Sequence, residues 1–600
     1  MPLPIGDYAL VGDCHTAALV GRDGSVDWLC LPRFDSASCF GALLGDAEHG
    51  RWLLAPDGEV VSSSREYVGD TFVLRTRWVT AEGEVEVLDL MPTGDRRADL
   101  LRRVRGIRGT VTMRQDVTFR FGYATALPWV QQRHELTCAP GHRAMLALAG
   151  PDAVVLRGPR LHPTDHAHTG TFTVAEGEVQ DLTLTWFPSH RPPPDPADAD
   201  QQVDDTLRFW QDWADRAEPT GPYRQEVRRS LLVLRALTHE DTGGIVAAAT
   251  TSLPEEFGGQ RNWDYRYVWL RDAALTLEAL LEHGYADEAL EWREWLMRAV
   301  AGDPDDVQIM YGLSGERDLP ERELASLPGY DGASPVRIGN GAVSQYQADV
   351  LGEVLVALEH ARRVGVDEDE YSWPLQRALL GFVEQHWERP DNGIWEIRGP
   401  QQRFTHSLVM VWAALDRGVR AVRHHGLDGP VERWESLRER VREEIEATCF
   451  DTGRGTYTQY AGSAGVDAAL LQLPQVGYLD PDDPRMLGTV AAIEDELLVD
   501  GFVYRYRTET GVDGLPPGEN AFLACSFWLV EQYARSGRVD DARTLMDRLV
   551  ACANDVGLLA EMWDPAGGRQ AGNVPQALSH LALVRAADAL DDAHAGRLRR

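Results

Sequence analysis

The chain has 600 residues, with 59 basic and 94 acidic side chains and a formal net charge of −35. Every basic residue is arginine, so lysine Schiff-base chemistry and nucleotide sites built on a P-loop lysine are excluded. The negative charge disfavours nucleic acids and anionic membranes as partners, because it repels their phosphates.

Cysteine usage and the amino-terminal segment indicate the cellular compartment of the protein. Seven cysteines are scattered without a CxxC pair, so we expect neither a disulfide framework nor a zinc cluster. The first residues lack the basic and apolar regions of a signal peptide. No stretch reaches the ~20 uncharged apolar residues that a membrane helix needs. We expect a cytoplasmic protein, and a homo-oligomer is compatible with this composition.

Short runs of alternating apolar and polar residues dominate residues 1–200, and turn residues separate them. This pattern is typical of an antiparallel β-sandwich. The Pro- and Asp-rich run at 191–200 is expected to end this domain, and residues 201–222 to form a linker or helical connection. The predicted strands are 51–56, 71–80, 83–91, 101–119, 143–150, 152–158, 170–177 and 181–188.

Helical periodicity follows from residue 223 onward. The predicted helices start near Tyr223, Arg271, Ala286, Gly341, Trp373, Phe404, Gly429, Gly465, Pro484, Glu519, Val539 and Val574. Twelve helices after a β-domain fit six hairpins closed into an (α/α)6 barrel over 223–590, with a tail at 591–600. A helical solenoid would give the same periodicity, although the sequence has no fixed-period repeat.

Long segments between the helices are rich in glycine, aromatic and charged residues. Loops of this length in a compact domain are usually functional. The segment Gly258–Asp272 combines three arginines, two aspartates and four aromatic residues. Aromatic faces stack on sugar rings, while arginine and aspartate bind hydroxyl groups. The density of aromatics favours a polar-ligand pocket over a surface ion-pair network.

Two glutamates in such segments are candidates for proton transfer. Glu396 lies between Trp395 and Ile397, and Glu561 follows a short apolar run. Apolar neighbours raise the pKa of a carboxyl group, as a general acid requires, and a second carboxylate can activate water. Each motif considered alone is equally consistent with a structural glutamate, solvated in a hairpin at position 396 or at a helix end at position 561. The block at 310–354 adds further polar side chains, of which Gln345 and Asp349 also fit an ordinary helix pair.

The one local histidine cluster is HPTDHAH at 162–168. His162 and His166 have the HxxxH spacing of a helical zinc site, but Pro163 and the position between strands indicate a loop. We therefore predict no metal site there.

Six sequence blocks follow one another along the chain, at 5–45, 250–273, 334–355, 393–399, 403–418 and 572–583. Together they resemble glycoside hydrolase family 15, which includes glucoamylases, glucodextranases and a bacterial trehalase branch. The resemblance implies an N-terminal β-sandwich, an (α/α)6 barrel and inverting exo-hydrolysis of an α-glucosidic bond, without a cofactor or metal.

Motif position implies individual roles. Glu396 corresponds to the general acid and Glu561 to the general base, whose carboxyl groups should lie roughly 6.5–9.5 Å apart to hold a water. The substrate-binding residues that the resemblance implies are Arg271, Asp272, Trp263, Asp264, Tyr265, Trp269, Trp395, Arg337 and Glu519.

Similarity to the trehalase branch predicts an α,α-trehalase that releases glucose from a small glucoside. The chain departs from many members of that branch at Asn520, Met562 and Val574. Glucoamylase- or isomaltase-like hydrolysis of α-1,4 or α-1,6 gluco-oligosaccharides is therefore an alternative. A disaccharide phosphorylase and a catalytically silent sugar-binding protein are two further ones.

Overall fold

The computed structural model describes residues 2–94, 96–133, 143–366 and 371–597. Its N-terminal part consists of antiparallel strands. They are β1 (Tyr8–Gly12), β2 (Ala17–Gly21), β3 (Ser25–Cys30), β4 (Ser38–Phe40), β5 (Arg51–Pro56), β6 (Val60–Tyr67), β7 (Leu74–Thr80), β8 (Gly83–Leu90), β9 (Asp99–Thr118), β10 (Trp129–Arg133), β11 (Arg143–Ala149), β12 (Asp152–Gly158), β13 (His162–Thr164), β14 (Ala167–Ala175) and β15 (Val179–Pro188).

The long strand β9 belongs to two sheets. Its first half pairs with β8 and β15, where Leu101 lies opposite Leu90. Its second half pairs with β5 and β14, where Val117 lies opposite Trp52. Gly109 stands between the halves with φ +66°, and a Cβ there would lie 2.3 Å from the Glu82 carbonyl oxygen. Apolar side chains of both sheets share one core, which confirms the predicted antiparallel β-sandwich.

The predicted strands are all present, but β1 to β4, β6, β10 and β13 were missed. Nearly every residue in β1, β2 and β3 is buried, so these strands lack the alternation that the prediction used. The histidine cluster forms the hairpin of β13 and β14, with left-handed backbone at Asp165 and His166.

The second part of the chain is helical and carries short strand pairs in its loops. The helices are α1 (Phe121–Ala124, within the first part), α2 (Ala199–Ala214), α3 (Arg224–Ala236), α4 (Leu270–Glu282), α5 (Ala286–Ala299), α6 (Asp349–Arg363), α7 (Ser372–His386), α8 (Thr405–His425), α9 (Val431–Thr448), α10 (Pro484–Glu496), α11 (Leu523–Arg535), α12 (Val539–Val550) and α13 (Ala577–His594). The short strands are β16 (Val268–Trp269), β17 (Met310–Tyr311), β18 (Arg322–Leu324), β19 (Val336–Ile338), β20 (Phe450–Asp451), β21 (Thr456–Tyr457), β22 (Leu498–Val499), β23 (Phe502–Val503), β24 (Ala521–Phe522), β25 (Met562–Asp564) and β26 (Arg569–Ala571).

Alternate helices form a closed inner ring. Contacts run from α4 to α6, α8, a short 3₁₀ helix at Ala468–Gln472, α11 and α13, and α13 packs back against α4. The helices α3, α5, α7, α9, α10 and α12 pack outside this ring. The closure confirms the predicted (α/α)6 barrel and excludes a solenoid, whose two ends do not meet.

Two helix predictions need correction. The helix predicted near Gly465 is only the five-residue 3₁₀ helix at Ala468–Gln472, and Pro474, which follows closely, has no N–H with which to continue a helix. Helix α6 begins at Asp349, eight residues after the predicted start, because a 3₁₀ turn occupies Gly341–Ser344.

The structure also bears on the cysteines and on whether a helix could span a membrane. Six of the seven cysteines are described, and all six are unpaired and buried, while Cys138 lies outside the described residues. None of the described helices is long and apolar enough to cross a membrane.

Candidate active site

One cavity gathers the loops that precede the inner helices. It measures about 800 Å³ including its open mouth. Its residues come from the segments before or at the start of α4, α6, α8, α11 and α13. They include Trp263, Tyr265, Trp269, Arg271, Asp272, Asn340, Gln345, Trp395, Glu396, Arg398, Arg505, Tyr506, Asp513, Phe522 and Glu561.

The segment before α4 reaches both glutamates. The Tyr265 hydroxyl donates to Glu561 Oε1 at 2.8 Å, and Trp269 Nε1 donates to Glu396 Oε1 at 2.7 Å. Trp269 is held in the short strand β16 and directly precedes α4. The Tyr265 and Trp269 rings meet edge to face at 5.5 Å, so both donors are fixed against each other.

Glu396 lies on a tight turn before α8. Its backbone is left-handed, with φ +57°, and its N–H donates to the Gly393 carbonyl at 3.0 Å. Gln345 Nε2 donates to the Glu396 carbonyl at 3.0 Å. Burial raises the pKa of Glu396 to about 7, against the lowering effects of Arg271 and of the Trp269 hydrogen bond. A group with this pKa keeps its proton near neutral pH, as a general acid must.

Glu561 lies at the edge of a three-stranded sheet formed by β24, β25 and β26. Its N–H donates to the Asn573 carbonyl at 3.0 Å, and its carbonyl accepts from Leu523 N–H at 3.1 Å. Gly572 has φ +75°, and a Cβ there would lie 2.7 Å from Glu561 Oε2. No described residue donates to Oε2. This oxygen can therefore accept a hydrogen bond from a water or a substrate hydroxyl.

The groups around Glu561 have opposing effects on its pKa. Burial and the nearby Glu255 carboxylate raise the pKa of Glu561, whereas Arg505 and the Tyr265 hydrogen bond lower it. Arg505 Nη2 donates to Glu255 at 2.8 Å and also to Glu519. The base candidate thus faces one arginine that two carboxylates already hold.

Arg271 and Asp272 occupy the first turn of α4 and line the cavity. Arg271 Nε donates to Asp272 Oδ1 at 2.8 Å, and Nη1 donates to the Ile394 carbonyl at 2.8 Å. Arg271 Nη2 lies 3.7 Å from Glu396 Oε1. The guanidinium is therefore fixed in plane beside the acid candidate, in the geometry that suits vicinal hydroxyls.

Most of the predicted binding residues line this cavity: Trp263, Tyr265, Trp269, Arg271, Asp272 and Trp395. Trp395 Nε1 donates to Asp467 at 2.8 Å, which orients its ring beside Glu396.

Three predicted binding residues lie outside the cavity lining. Asp264 is fully buried and paired with Arg266 at 2.7 Å. Arg337 lies 4.7 Å from the Trp263 ring centre and 3.6 Å from Glu321. Glu519 is buried against Arg505. Each of these side chains contacts a lining residue or its neighbour, and its role in substrate binding stays a prediction.

Sequence reasoning missed several lining residues. Glu255, Arg505 and Asp513 line the cavity, and all three lie in the long segments 241–270 and 498–518 that were expected to be functional. Only the closed ring brings these two segments together, so no local pattern identified the individual side chains. Among the described residues, no group of three or more His, Cys, Asp or Glu side chains could hold a metal ion.

Two carboxyl groups and an arginine in an aromatic cavity of an (α/α)6 barrel define a glycoside hydrolase site. Comparison with known families gives the same class. The family model for glycosyl hydrolases family 15 matches residues 221–588, and a trehalase-like N-terminal model matches residues 1–156. The chain belongs to glycosyl hydrolases family 15.

The relatives extend this assignment over almost the whole length. The chain is 37% identical to a trehalase of Mycobacterium tuberculosis, over 97% of this chain and 89% of that protein. It is 36% identical to a trehalase of Mycolicibacterium smegmatis, over 97% and 90%. A bacterial glucoamylase solved with acarbose has the same fold, with a TM-score of 0.70, 12% identity, and coverage of 98% of this chain and 94% of that one.

Proposed function

We propose that this glycoside hydrolase is an inverting α,α-trehalase that releases glucose. The observation that carries the mechanism is the shared segment that hydrogen-bonds both cavity glutamates, through Tyr265 and Trp269. The two trehalases similar over nearly the whole chain support the substrate.

In this proposal Glu396 is the general acid and Glu561 the general base. Glu396 gives its proton to the glycosidic oxygen as the bond to the sugar carbon breaks, and that oxygen leaves as a glucose hydroxyl. Glu561 takes a proton from the water that attacks the opposite face of the oxocarbenium-like carbon. Burial raises the pKa of both carboxyl groups, that of Glu396 to about 7 and that of Glu561 to about 8, so the two roles are assigned by motif position and not by these values.

Recognition of the non-reducing glucose is assigned to Arg271 and Asp272, with the aromatic residues as stacking walls. A neutral sugar suits a chain of net charge −35, because it brings no charge to be repelled. We also propose a cytoplasmic location and the domain limits 1–200, 201–222, 223–590 and 591–600. Helix α2 starting at Ala199 and α13 ending at His594 support limits near these positions.

The first test is a substrate panel of trehalose, maltose, isomaltose, kojibiose and soluble starch, each with and without phosphate and Mg²⁺. Trehalose should have the highest kcat/KM, and turnover should persist without phosphate. A higher kcat/KM on maltose or isomaltose would replace the proposed substrate while leaving the mechanism in place. Turnover that stops without phosphate would contradict hydrolysis.

The second test follows the anomers by NMR in a fresh trehalose digest. Inversion makes one product glucose β at first, while the other remains α. Two α products would contradict inversion.

A further inference from the structure

The N-terminal sheets contact the catalytic segment from behind the cavity. All the described residues that line the cavity come from Ala247 onward. The segment 263–266 alternates: Trp263 and Tyr265 reach the cavity, whereas Asp264 and Arg266 are buried. Alternating side chains of an extended segment point to opposite faces, so the buried pair faces away from the cavity.

Arg266 makes the contact to the sheets. Its side chain is fully buried and forms a forked pair with Asp264, at 2.9 and 2.7 Å. Nη1 donates to the Ser36 carbonyl at 2.9 Å and the Phe34 carbonyl at 3.3 Å. Nη2 also donates to the Tyr123 hydroxyl at 2.9 Å. One guanidinium thus joins the catalytic segment to two N-terminal loops.

The N-terminal acceptors are themselves held in place. Tyr123 has left-handed backbone, with φ +58°, and its carbonyl accepts from Ser326 Oγ at 2.7 Å. Phe34 N–H donates to the His15 carbonyl at 3.1 Å. Fixed acceptors matter because a buried guanidinium that loses its partners leaves an uncompensated charge.

On the helical side, Asp264 and Tyr265 are tied to the barrel. Gly339 N–H donates to Asp264 Oδ2 at 3.3 Å, and Ala248 N–H donates to the Tyr265 carbonyl at 2.9 Å. Tyr265 lies between Asp264 and Arg266, and its hydroxyl donates to Glu561 at 2.8 Å. Any shift of the Arg266–Asp264 pair therefore changes the donor that contacts the base candidate.

We propose that Arg266 is a positioning residue through which the N-terminal loops at 34–36 and 121–124 hold Tyr265, and through Tyr265 the general base Glu561. The proposal rests on the general-base role given to Glu561 under the proposed function.

The direction of the effect follows from the groups that face Glu561, which are Tyr265, Glu255 and Arg505. The Tyr265 hydrogen bond stabilises the charged form and lowers the pKa of Glu561, so a weaker bond raises this pKa. Because a base must be ionised, the acid limb of the kcat/KM profile should move to higher pH. Glu255 and Arg505 hold each other and stay in place.

The test compares Arg266→Met with Arg229→Met. Arg229 is a half-buried arginine of the helical part that also donates to an N-terminal carbonyl, that of Thr71 at 2.9 Å, but it lies outside the cavity segment. Arg266→Met should lower kcat roughly 10–100-fold and move the acid limb upward, with KM nearly unchanged. Arg229→Met should lower the melting temperature and leave kcat and both limbs at their wild-type values.

A double-mutant cycle with Tyr265→Phe tests the route of the effect. If Arg266 acts through Tyr265, Arg266→Met should add little in the Tyr265→Phe background. Fully additive losses would overturn the proposal, as would a wild-type acid limb in folded Arg266→Met.

Milder variants cover the case in which Arg266→Met does not fold. Tyr123→Phe removes one N-terminal acceptor and Arg266→Lys removes the fork, and both should move the acid limb in the same direction by a smaller amount. Wild-type profiles in both would overturn the proposal. The wild-type substrate panel is completed first, and the cycle then uses whichever glucoside is cleaved, so a wrong substrate assignment is recognised separately.

Discussion

The two cavity glutamates have similar backbone support but differ in exposure. The backbone N–H and carbonyl groups are hydrogen-bonded in both residues, to Gly393 and Gln345 at Glu396 and to Asn573 and Leu523 at Glu561. The Glu396 side chain is 22% exposed, whereas Glu561 is 1% exposed. A proton donor must reach the glycosidic oxygen and recover its proton from solvent, whereas a base must hold one water in line. The comparison teaches that the proposed acid is open to solvent and the proposed base is enclosed.

The largest expected effect separates the two roles. Glu396→Gln and Glu561→Gln should each lower kcat on trehalose by roughly 10²–10⁴-fold or more. With α-glucosyl fluoride, whose leaving group needs no proton, Glu396→Gln should regain most of its rate and Glu561→Gln should not. Equal recovery in both variants, measured by fluoride release, would contradict the assignment.

A smaller effect separates the two hydrogen-bond donors. Trp269 lowers the pKa of Glu396, which is about 7, so Trp269→Phe raises it. The acid must be protonated, so the alkaline limb moves upward. Tyr265→Phe raises the pKa of Glu561, and because the base must be ionised, the acid limb moves upward.

Each shift should be roughly one pH unit, since a hydrogen bond to a charged group contributes about 1.5–3 kcal/mol. The measurement is a kcat/KM profile for each variant. Tyr330→Phe removes a hydroxyl that donates to the Leu3 carbonyl, away from the cavity, and should leave both limbs unchanged. Movement of the same limb in the Trp269 and Tyr265 variants would show that the donors do not serve separate glutamates.

The smallest effect concerns the glycine beside each glutamate. Gly572→Ala places a Cβ 2.7 Å from Glu561 Oε2, and Gly393→Ala places one 2.7 Å from the Phe404 ring; both glycines have positive φ. Each should cost about 1–3 kcal/mol of stability. Only Gly572→Ala pushes on a carboxylate, so it should lower kcat more.

Thermal unfolding and kcat measure the two effects of these glycine changes. Gly537→Ala is the control, because Gly537 also has positive φ but no atom within 4 Å of the added Cβ. It should lose about 1 kcal/mol of stability with unchanged kcat. An equal loss of kcat in the Gly393 and Gly572 variants would contradict a direct effect of the added Cβ on Glu561.

Much of the fold could be predicted from periodicity, and the errors have physical causes. Strands such as β14 and β15 keep an exposed face and so alternate, whereas β1 is buried on both faces and does not. The ring was predicted except near Pro474, where the inner helix shortens to one 3₁₀ turn. The number of helices can be predicted from local periodicity, whereas the packing of α13 against α4, which closes the ring, joins distant parts of the chain.

The candidate site could likewise be predicted only in part. The segment before α4 was identified by its composition, because arginine and aromatic residues crowd one stretch. Which of its residues face the cavity depends on strand-like alternation, which places Asp264 on the buried side, away from the cavity. Arg505 and Glu255 are in contact although they lie 250 positions apart in the sequence, a separation at which a single sequence gives no pairing signal.

Ring closure also sets the order in which the enzyme becomes competent during synthesis. Glu396 and its donor Trp269 emerge from the ribosome well before Glu561, which precedes only the last helix, α13. A nascent chain that ends before that helix carries the aromatic walls and the acid, yet has an open ring and no seated base. Hydrolysis should therefore require the final hairpin, because the ring closes only when α13 packs against α4.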